Sequence, residues 1–306
     1  MSALRFQLFG KLLIQKDAHA LIGLEGRKEQ ELLCYVLVHP DRPHPREMLA
    51  NLLWSDTSTE KSRKYLRQAL WHLHAMLKPA RPVDNEVLSA EHDWVQLNLN
   101  SDCWIDVSAF ERAFTGTQGV SGKSLDQNGA QLLKNAVELY RGDLLDGWYH
   151  DWCLFERERL QNIYLTMLDK LMTYSMEHQE YETGFTYGST ILRYDRASER
   201  TYRQLMLMKY SAGDRTAALR LYDRCVAALA EELAVKPEAR TTAIYEKIRT
   251  GSIDNSETID QTVSPHDASL TEVLGRLKRL QLVLTAVQKR VQRDIAAVEQ
   301  GFKTLK

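Results

Sequence analysis

The chain has 306 residues, of which 44% are apolar and 26% are charged, and its formal net charge is −1. This composition is typical of a folded globular protein with a sizeable core, and the length predicts two domains with additional segments. Because the charge is balanced, composition alone identifies no anionic partner. A nucleic-acid surface would have to be a local patch.

The four cysteines are far apart and include no C-x-x-C pair, which excludes a thiolate zinc module and argues against a disulfide scaffold. We expect them to be small buried hydrophobes in a reducing compartment: Cys34, Cys103, Cys153 and Cys225. The sequence starts without the basic and apolar regions of a secretory leader and has no apolar run of about 18 residues. We therefore expect a cytoplasmic protein without a membrane-spanning segment.

The first hundred residues change from β to helical periodicity and back. Apolar and polar residues alternate at the start, whereas from Arg27 onward the apolar spacing becomes helical. In order, we predict two or three short antiparallel strands within 4–9, 11–15 and 20–24. Three helices follow, one from 27, one over 45–54 with Pro45 in the first turn and one from 58 or 59 to 78, and then a hairpin at 83–99. This order is typical of a winged helix-turn-helix domain.

Basic residues concentrate around the third predicted helix, where residues 56–81 contain six basic and two acidic side chains. A buried stripe is predicted at helical spacing, at Leu66, Ala69, Leu70, Leu73 and Leu77. The other faces carry arginine, lysine and glutamine, which bind base edges and phosphates in the major groove. The predicted DNA-binding residues are Lys61, Arg63, Lys64, Arg67, Gln68, Trp71, His74 and Lys78. A solvated helix with cationic side chains would give a similar pattern.

A glycine-containing loop at 116–128 invites comparison with a phosphate-binding loop. The Walker pattern requires a glycine five positions before Gly122, where the sequence has Thr117. We therefore predict no nucleotide site. Metalloprotease, serine-hydrolase and dinucleotide-binding motifs do not occur in the sequence, and the histidines lack ligand-like spacing. We expect neither an enzyme nor a bound cofactor or metal.

Residues 129–249 have helical periodicity almost throughout and contain an internal repeat. The segment 179–185 aligns with 213–219 at an offset of 34 residues, with small Gly184 and Ala218 in equivalent places. This offset is the tetratricopeptide period, and small residues allow paired helices to approach closely. Stacked helix pairs form a surface that binds proteins or a small effector. A plain antiparallel helix bundle is the alternative.

The C-terminal part divides into a polar segment at 251–268 and an amphipathic segment at 269–306. The polar segment lacks aromatic residues, which predicts a flexible linker. The amphipathic segment has an apolar residue every seven positions, at Leu270, Leu277, Leu284, Val291, Val298 and Leu305. This spacing predicts a coiled coil that forms a homodimer. A helix that packs back on its own chain is the alternative, whereas mixed charges argue against a membrane-surface helix.

With these elements in order, the sequence resembles the SARP-type bacterial transcriptional activators. In that family an OmpR/PhoB-type winged helix precedes a tetratricopeptide-like bacterial transcriptional activator domain. The resemblance spans about residues 4–250. The matching stretches are 27–33, 38–40, 46–54, 62–70, 105–112, 139–145, 156–160, 222–224 and 229–237.

The resemblance implies promoter DNA as a ligand and RNA polymerase as a partner, with the third helix in the major groove and the hairpin near the adjacent minor groove. Two features differ from the family. Late in the third helix, where extra arginines are usual, the sequence has Trp71, His72, His74 and Ala75, and the wing has Asp93-Trp94 in place of glycine before an aromatic residue. Fewer arginines imply fewer phosphate contacts and a shallower salt dependence. Trp71 could contact a thymine methyl group or cover the domain's own surface.

The sequence therefore predicts a mostly α protein with a small β component. We expect a winged helix-turn-helix at 1–100, a repeat domain at 101–250, the linker at 251–268 and the amphipathic helix at 269–306. The predicted function is transcriptional regulation through double-stranded DNA. The alternative is a helical-repeat adaptor whose winged domain docks a protein.

Overall fold

The computed structural model describes residues 4–16, 19–20, 24, 26–77, 87–91, 93–98 and 103–252. The heptad positions and Lys78 lie outside these residues. The described strands are β1 (Leu4–Gln7), β2 (Leu13–Lys16), β3 (His19–Ala20), β4 (His44–Pro45), β5 (Leu88–Ala90), β6 (Trp94–Leu97) and β7 (Cys103–Ile105). The described helices are α1 (Arg27–Val38), α2 (Arg46–Leu53), α3 (Thr59–Leu77), α4 (Asp106–Gly116), α5 (Gln127–Val137), α6 (Asp151–Glu177), α7 (Tyr181–Tyr194), α8 (Glu199–Ser211), α9 (Arg215–Leu233) and α10 (Ala239–Thr250). The predicted fold class, mostly α with a small β component, is confirmed.

The chain divides into two compact units, the first ending at Gln179 and the second beginning at Glu180. The first unit contains the predicted strands, three helices and hairpin, followed by α4 to α6. The second contains α7 to α10, in which consecutive helices pack against each other and α10 also contacts α8.

The N-terminal sheet of the first unit is completed from outside the predicted strands. Its order is β3-β2-β1-β7, and β7 pairs parallel to β1, with Leu4 opposite Cys103. Sequence reasoning missed this strand, because three residues are too few for a periodic signal. Beyond β1, a bridge joins Phe9 to Leu144, and the Gly10 amide donates to the Asp143 carbonyl at 2.8 Å. Segments that precede and follow the helices and hairpin of the winged helix in the sequence are therefore joined in one sheet and at its edge.

Asp106 at the start of α4 fixes this junction. One of its carboxylate oxygens accepts the backbone N–H groups of Leu8 and Phe9 at 2.8 and 3.0 Å, and the other accepts that of Val107 at 2.7 Å. Burial raises the pKa of Asp106 to about 6, although these three donors favour the ionised form. The carboxylate thereby supplies acceptors that buried backbone amides need.

The second sheet of the first unit is the wing, with order β4-β6-β5. The described part of the predicted hairpin forms β5 and β6, which pair antiparallel with Ala90 opposite Val95. Pro45 was expected inside the second helix, and this is wrong: it flanks Arg46, where the helix begins, and pairs with Trp94 in the sheet. Proline tolerates this place because β4 is an edge strand and needs no donor there.

The repeat in the helical segment has a matching backbone. Gln179 and Gly213, 34 residues apart, both have a positive φ, at 61° and 84°, in the turn before a helix. Gly184 and Ala218 are both buried, as the close approach of helices requires. Cys34, Cys153 and Cys225 are buried free thiols, as expected, whereas Cys103 is half-buried.

Candidate nucleic-acid interface

Helix α3 is positioned by its apolar stripe. Leu66, Ala69, Leu70, Leu73 and Leu77 are all buried, and α3 packs against α1 and α2. The helix is 19 residues long and begins at Thr59, as predicted. Because one stripe holds the helix, its remaining circumference is available to solvent.

Most of the predicted DNA-binding side chains lie on that exposed surface. Those that are exposed are Lys61, Arg63, Lys64, Arg67, Gln68 and Trp71, whereas His74 is half-buried. The only acidic residue within α3 is Glu60 in its first turn. The exposed surface of α3 is therefore cationic, and no described residue seals it.

Trp71 is 68% exposed, and its ring centroid lies 5.2 Å from that of the neighbouring His72. Within the described part of the chain, most of the Trp71 side chain therefore faces solvent. His72 instead turns towards α1, where its Nδ1 donates to Glu29 Oε1 at 2.7 Å. One of the two adjacent aromatic residues thus braces the helix, and the other is presented to solvent.

A groove of about 670 Å³ runs beside α3. It is bounded by the start of α2, by α3 and by the tip of the wing, and it is lined by Pro45, Arg46, Glu47, Arg63, Leu66, Arg67, Asp93 and Trp94. Trp94 is a large exposed side chain on the wing side. The groove thus brings two of the predicted arginines, Arg63 and Arg67, next to wing residues that are distant in the sequence.

Arg46 fixes the wall between α2 and the wing. Its amide donates to the Asp93 carbonyl at 2.9 Å, and its guanidinium donates to the Glu91 carbonyl at 3.1 Å. These bonds extend the β4-β6 pairing towards the hairpin turn. Sequence reasoning missed Arg46 and Glu47 as site residues, because their place depends on a strand pairing across about 50 residues that no local pattern encodes.

The only ion pair found in the described part of this groove joins α2 to α3. Arg63 Nη2 lies 2.6 Å from Glu47 Oε1, and the two side chains are 58% and 63% exposed. Arg67, one turn further along α3, makes no hydrogen bond or ion pair with any described residue. The two arginines therefore differ in what they must give up to bind a ligand.

The loop that resembles a phosphate-binding loop is a packing element. Residues Gly122–Ser124 form one 3₁₀ turn, and a Cβ at Gly122 would lie 2.6 Å from the Lys170 carbonyl on α6. This glycine is therefore needed for close packing. In the described residues, no three His, Cys, Asp or Glu side chains are grouped to hold a metal ion, and no described helix is long and apolar enough to cross a membrane.

Comparison with known proteins agrees with this architecture. Residues 105–249 match the bacterial transcriptional activator domain family. Transcriptional regulatory protein MoaR1, from Mycobacterium bovis and from Mycobacterium tuberculosis, is 22% identical over 249 residues, which cover 80% of this chain and 79% of the relative. The structure of Mycobacterium tuberculosis EmbR in complex with a low-affinity phosphopeptide is similar in fold, with a TM-score of 0.61 at 18% identity, covering 94% of this chain and 72% of EmbR.

The matched domain gives this chain a bacterial transcriptional activator domain over residues 105–249. The resemblance to SARP-type transcriptional activators that was inferred from the sequence is thereby confirmed.

Proposed function

We propose that this regulator binds promoter DNA by placing α3 in the major groove, with the wing near the adjacent minor groove. The observation that carries the proposal is the exposed cationic surface of α3 beside a groove whose far wall is fixed by Arg46. A recognition helix held from behind, with cationic and amide side chains in front, has the arrangement that major-groove binding requires.

The side chains divide by chemistry into two sets. Arg63 and Arg67 have the forked donors that bind guanine O6 and N7, and the Gln68 amide can donate to adenine N7 while it accepts from the adenine N6 amino group. Exposed Trp71 offers an apolar face for a thymine methyl group. Lys61, Lys64, half-buried His74 and Lys78 are suited to phosphates. The first set determines sequence preference, and the second contributes most of the salt-dependent affinity.

The decisive experiment combines Arg63→Ala with Arg67→Ala. We expect the wild-type chain to bind a duplex selected from a random-sequence pool, with an affinity that falls as salt rises, and the double variant to lose at least tenfold in affinity with unchanged thermal unfolding. The matched control is Arg112→Ala with Arg141→Ala, which removes the same charge from exposed positions outside the groove. Equal loss in both variants would mean that α3 does not determine binding.

The proposal also includes contact with RNA polymerase through the exposed start of α6. Asp151, Leu154, Phe155 and Glu158 are exposed at helical spacing i, i+3, i+4 and i+7, and therefore share one face. Phe155 and nearby Tyr149 are 68% and 74% exposed. Apolar side chains flanked by carboxylates suit a protein surface that offers an apolar pocket with a basic rim.

A second double variant, Leu154→Ala with Phe155→Ala, separates this contact from DNA binding. We expect unchanged affinity for the selected duplex and reduced transcription by purified polymerase from a template that carries it. Leu132→Ala on α5, which also removes an exposed leucine, is the control and should leave transcription unchanged. Full transcription by the double variant would exclude this face as the contact.

Homodimerisation through the heptad positions is a further part of the proposal. Leu277→Asp with Leu284→Asp should lower the sedimentation mass to that of one chain, whereas Thr271→Asp with Thr285→Asp, between the heptad positions, should not. A monomeric wild-type chain would contradict it. The adaptor alternative predicts no salt-sensitive affinity for any duplex.

A further inference from the structure

Three arginines line the groove beside α3, and each has a different relation to its surroundings. Arg46 is committed to the wing through the Glu91 carbonyl. Arg67 has no partner among the described residues. Arg63 is held by Glu47, the first-turn carboxylate of α2, at 2.6 Å.

The Arg63–Glu47 pair is weak enough to open. Both side chains are more than half exposed, and exposed ion pairs contribute only about 0–1 kcal/mol to stability. The pair is therefore of little use as a brace for the fold. Its position in the groove gives it another consequence, because any polyanion that approaches Arg63 also approaches Glu47.

The two kinds of DNA ligand affect this pair differently. A single phosphate that binds near Arg63 is attracted by the guanidinium and repelled by the Glu47 carboxylate. The repulsion between the two anions is about 1 kcal/mol at a separation of 4 Å in water. A guanine edge carries no net charge and offers two acceptors, O6 and N7, that match the arginine fork. Only the second ligand replaces the carboxylate without adding like charge.

We propose that Glu47 is a specificity-determining residue that withholds Arg63 from phosphates and releases it to a base edge with two acceptors. This inference rests on the proposed DNA-binding function. In this proposal, an acidic residue disfavours the wrong ligands. Specificity requires such unfavourable interactions in addition to favourable contacts with the correct ligand.

The chain supplies a matched control for this idea. Glu60 is an exposed carboxylate in the first turn of α3, as Glu47 is in the first turn of α2. Glu60 makes no ion pair with any described residue. Glu47→Gln and Glu60→Gln therefore remove the same charge from the same part of a helix, and only the first frees an arginine.

The experiment measures binding of the full chain to two duplexes of equal length, one selected by the wild-type protein and one unselected. For Glu47→Gln we expect about fivefold tighter binding to the unselected duplex and less than about twofold change for the selected one. The salt slope on the unselected duplex should steepen by about 0.9, which corresponds to one added phosphate contact. Glu60→Gln should change both affinities by a common factor.

Two outcomes would overturn the inference while leaving DNA binding intact. One is an equal effect of Glu47→Gln and Glu60→Gln on both duplexes, which would indicate net charge alone. The other is an undiminished Glu47→Gln effect in chains that also carry Arg63→Ala. If the wild type binds neither duplex at any salt concentration, the proposed function fails first and this inference fails with it.

Discussion

Two charged helical segments of the first unit, the start of α3 and the start of α6, look alike in sequence and differ in how they use arginine. In α3, the exposed side chains of Arg63 and Arg67 line the groove beside the wing. In α6, Arg157 faces inward and donates to the carbonyl oxygens of Leu144, Leu145 and Trp148 at 2.9–3.1 Å. The difference teaches that the number of cations in a segment does not tell how many are available to a ligand.

The inward arginine also has a structural reason. The segment before α6 is irregular, with a positive φ at Leu145 and at Gly147, and the Trp148 N–H donates to the Leu145 carbonyl within it at 3.0 Å. The Arg157 guanidinium supplies further donors to the carbonyl groups of this segment from the adjacent helix. The neighbouring Arg159 instead pairs with Glu111 and Glu156 at 2.6 and 2.7 Å near the surface.

The substitution Arg157→Ala tests most directly whether the inward arginine stabilises the fold more than a surface arginine does. Because several carbonyl groups lose a charged donor, we expect the free energy of unfolding to fall by about 3 kcal/mol in urea titrations, with Arg157→Lys intermediate. Arg159→Ala should cost no more than about 1 kcal/mol. Similar losses for the two alanine variants would mean that the inward and surface arginines do not differ in their contribution to stability.

A buried anion extends the comparison to carboxylates. Asp106→Asn places an amide N–H₂ against at least one backbone N–H, so we expect a loss of about 2 kcal/mol at about pH 7.5, where the carboxylate is ionised. Asp126 also caps a helix, α5, by accepting the Gly129 N–H, but asparagine is an equally good cap there. Asp126→Asn should therefore be close to neutral, and a comparable loss would contradict the assigned role of Asp106.

An outward cation should give the opposite result, with a change in binding and none in stability. Lys64→Ala should weaken duplex binding a few-fold, by about 1 kcal/mol, and reduce the salt slope by about 0.9, while the free energy of unfolding stays within about 0.5 kcal/mol. Lys236→Ala, at an exposed position of the second unit, is the control for charge. If Lys64→Ala lowered the free energy of unfolding and left duplex binding unchanged, Lys64 would have a structural role, as Arg157 does.

The smallest expected effect is a change in the pH dependence of stability at His44, a buried histidine whose neutral form is favoured. His44 is buried, its Nε2 donates to the His39 carbonyl at 3.0 Å, and its Nδ1 has no hydrogen-bond partner among the residues that the structure describes. Burial lowers the pKa of His44, so the unfolded chain takes up a proton first as pH falls below about 6.5, and stability decreases through that range. We measure the unfolding midpoint of both proteins between about pH 7 and pH 5. As the pH falls, the midpoint should decrease less in His44→Gln than in the wild type. Parallel pH profiles would contradict this.

Prediction from sequence succeeded where an apolar periodicity extends over several helical turns. It failed where a strand pairs with residues far away in the sequence. Helix α3 was predicted within a residue at each end, because five apolar positions repeat over three turns. The hairpin predicted at 83–99 contains β5 and β6. By contrast, β7 has three residues, and the roles of Arg46 and Glu47 depend on β4 meeting β6, so no window of sequence contains the information.

The same limit applies to individual side chains of the candidate site. The local cluster of basic residues placed Arg63 among the predicted DNA-binding residues, but its carboxylate partner lies on another helix, 16 residues away. Trp71 and His72 are adjacent in the sequence, yet one is presented to solvent and the other holds α1. Helical phase predicts which side a residue occupies, and only the packed neighbours determine what it does there.

The parallel pairing of β1 with β7 affects how such regulators could exchange parts during evolution. A recombination event that joined the first hundred residues to a different partner would remove the strand beside β1 and the Asp106 carboxylate that holds the Leu8 and Phe9 amides. Viable chimaeras should therefore carry the segment through about residue 146, where the Asp146 amide closes the last bond to Gly10. The part of this protein that must be inherited together is therefore larger than the winged helix-turn-helix of the first hundred residues.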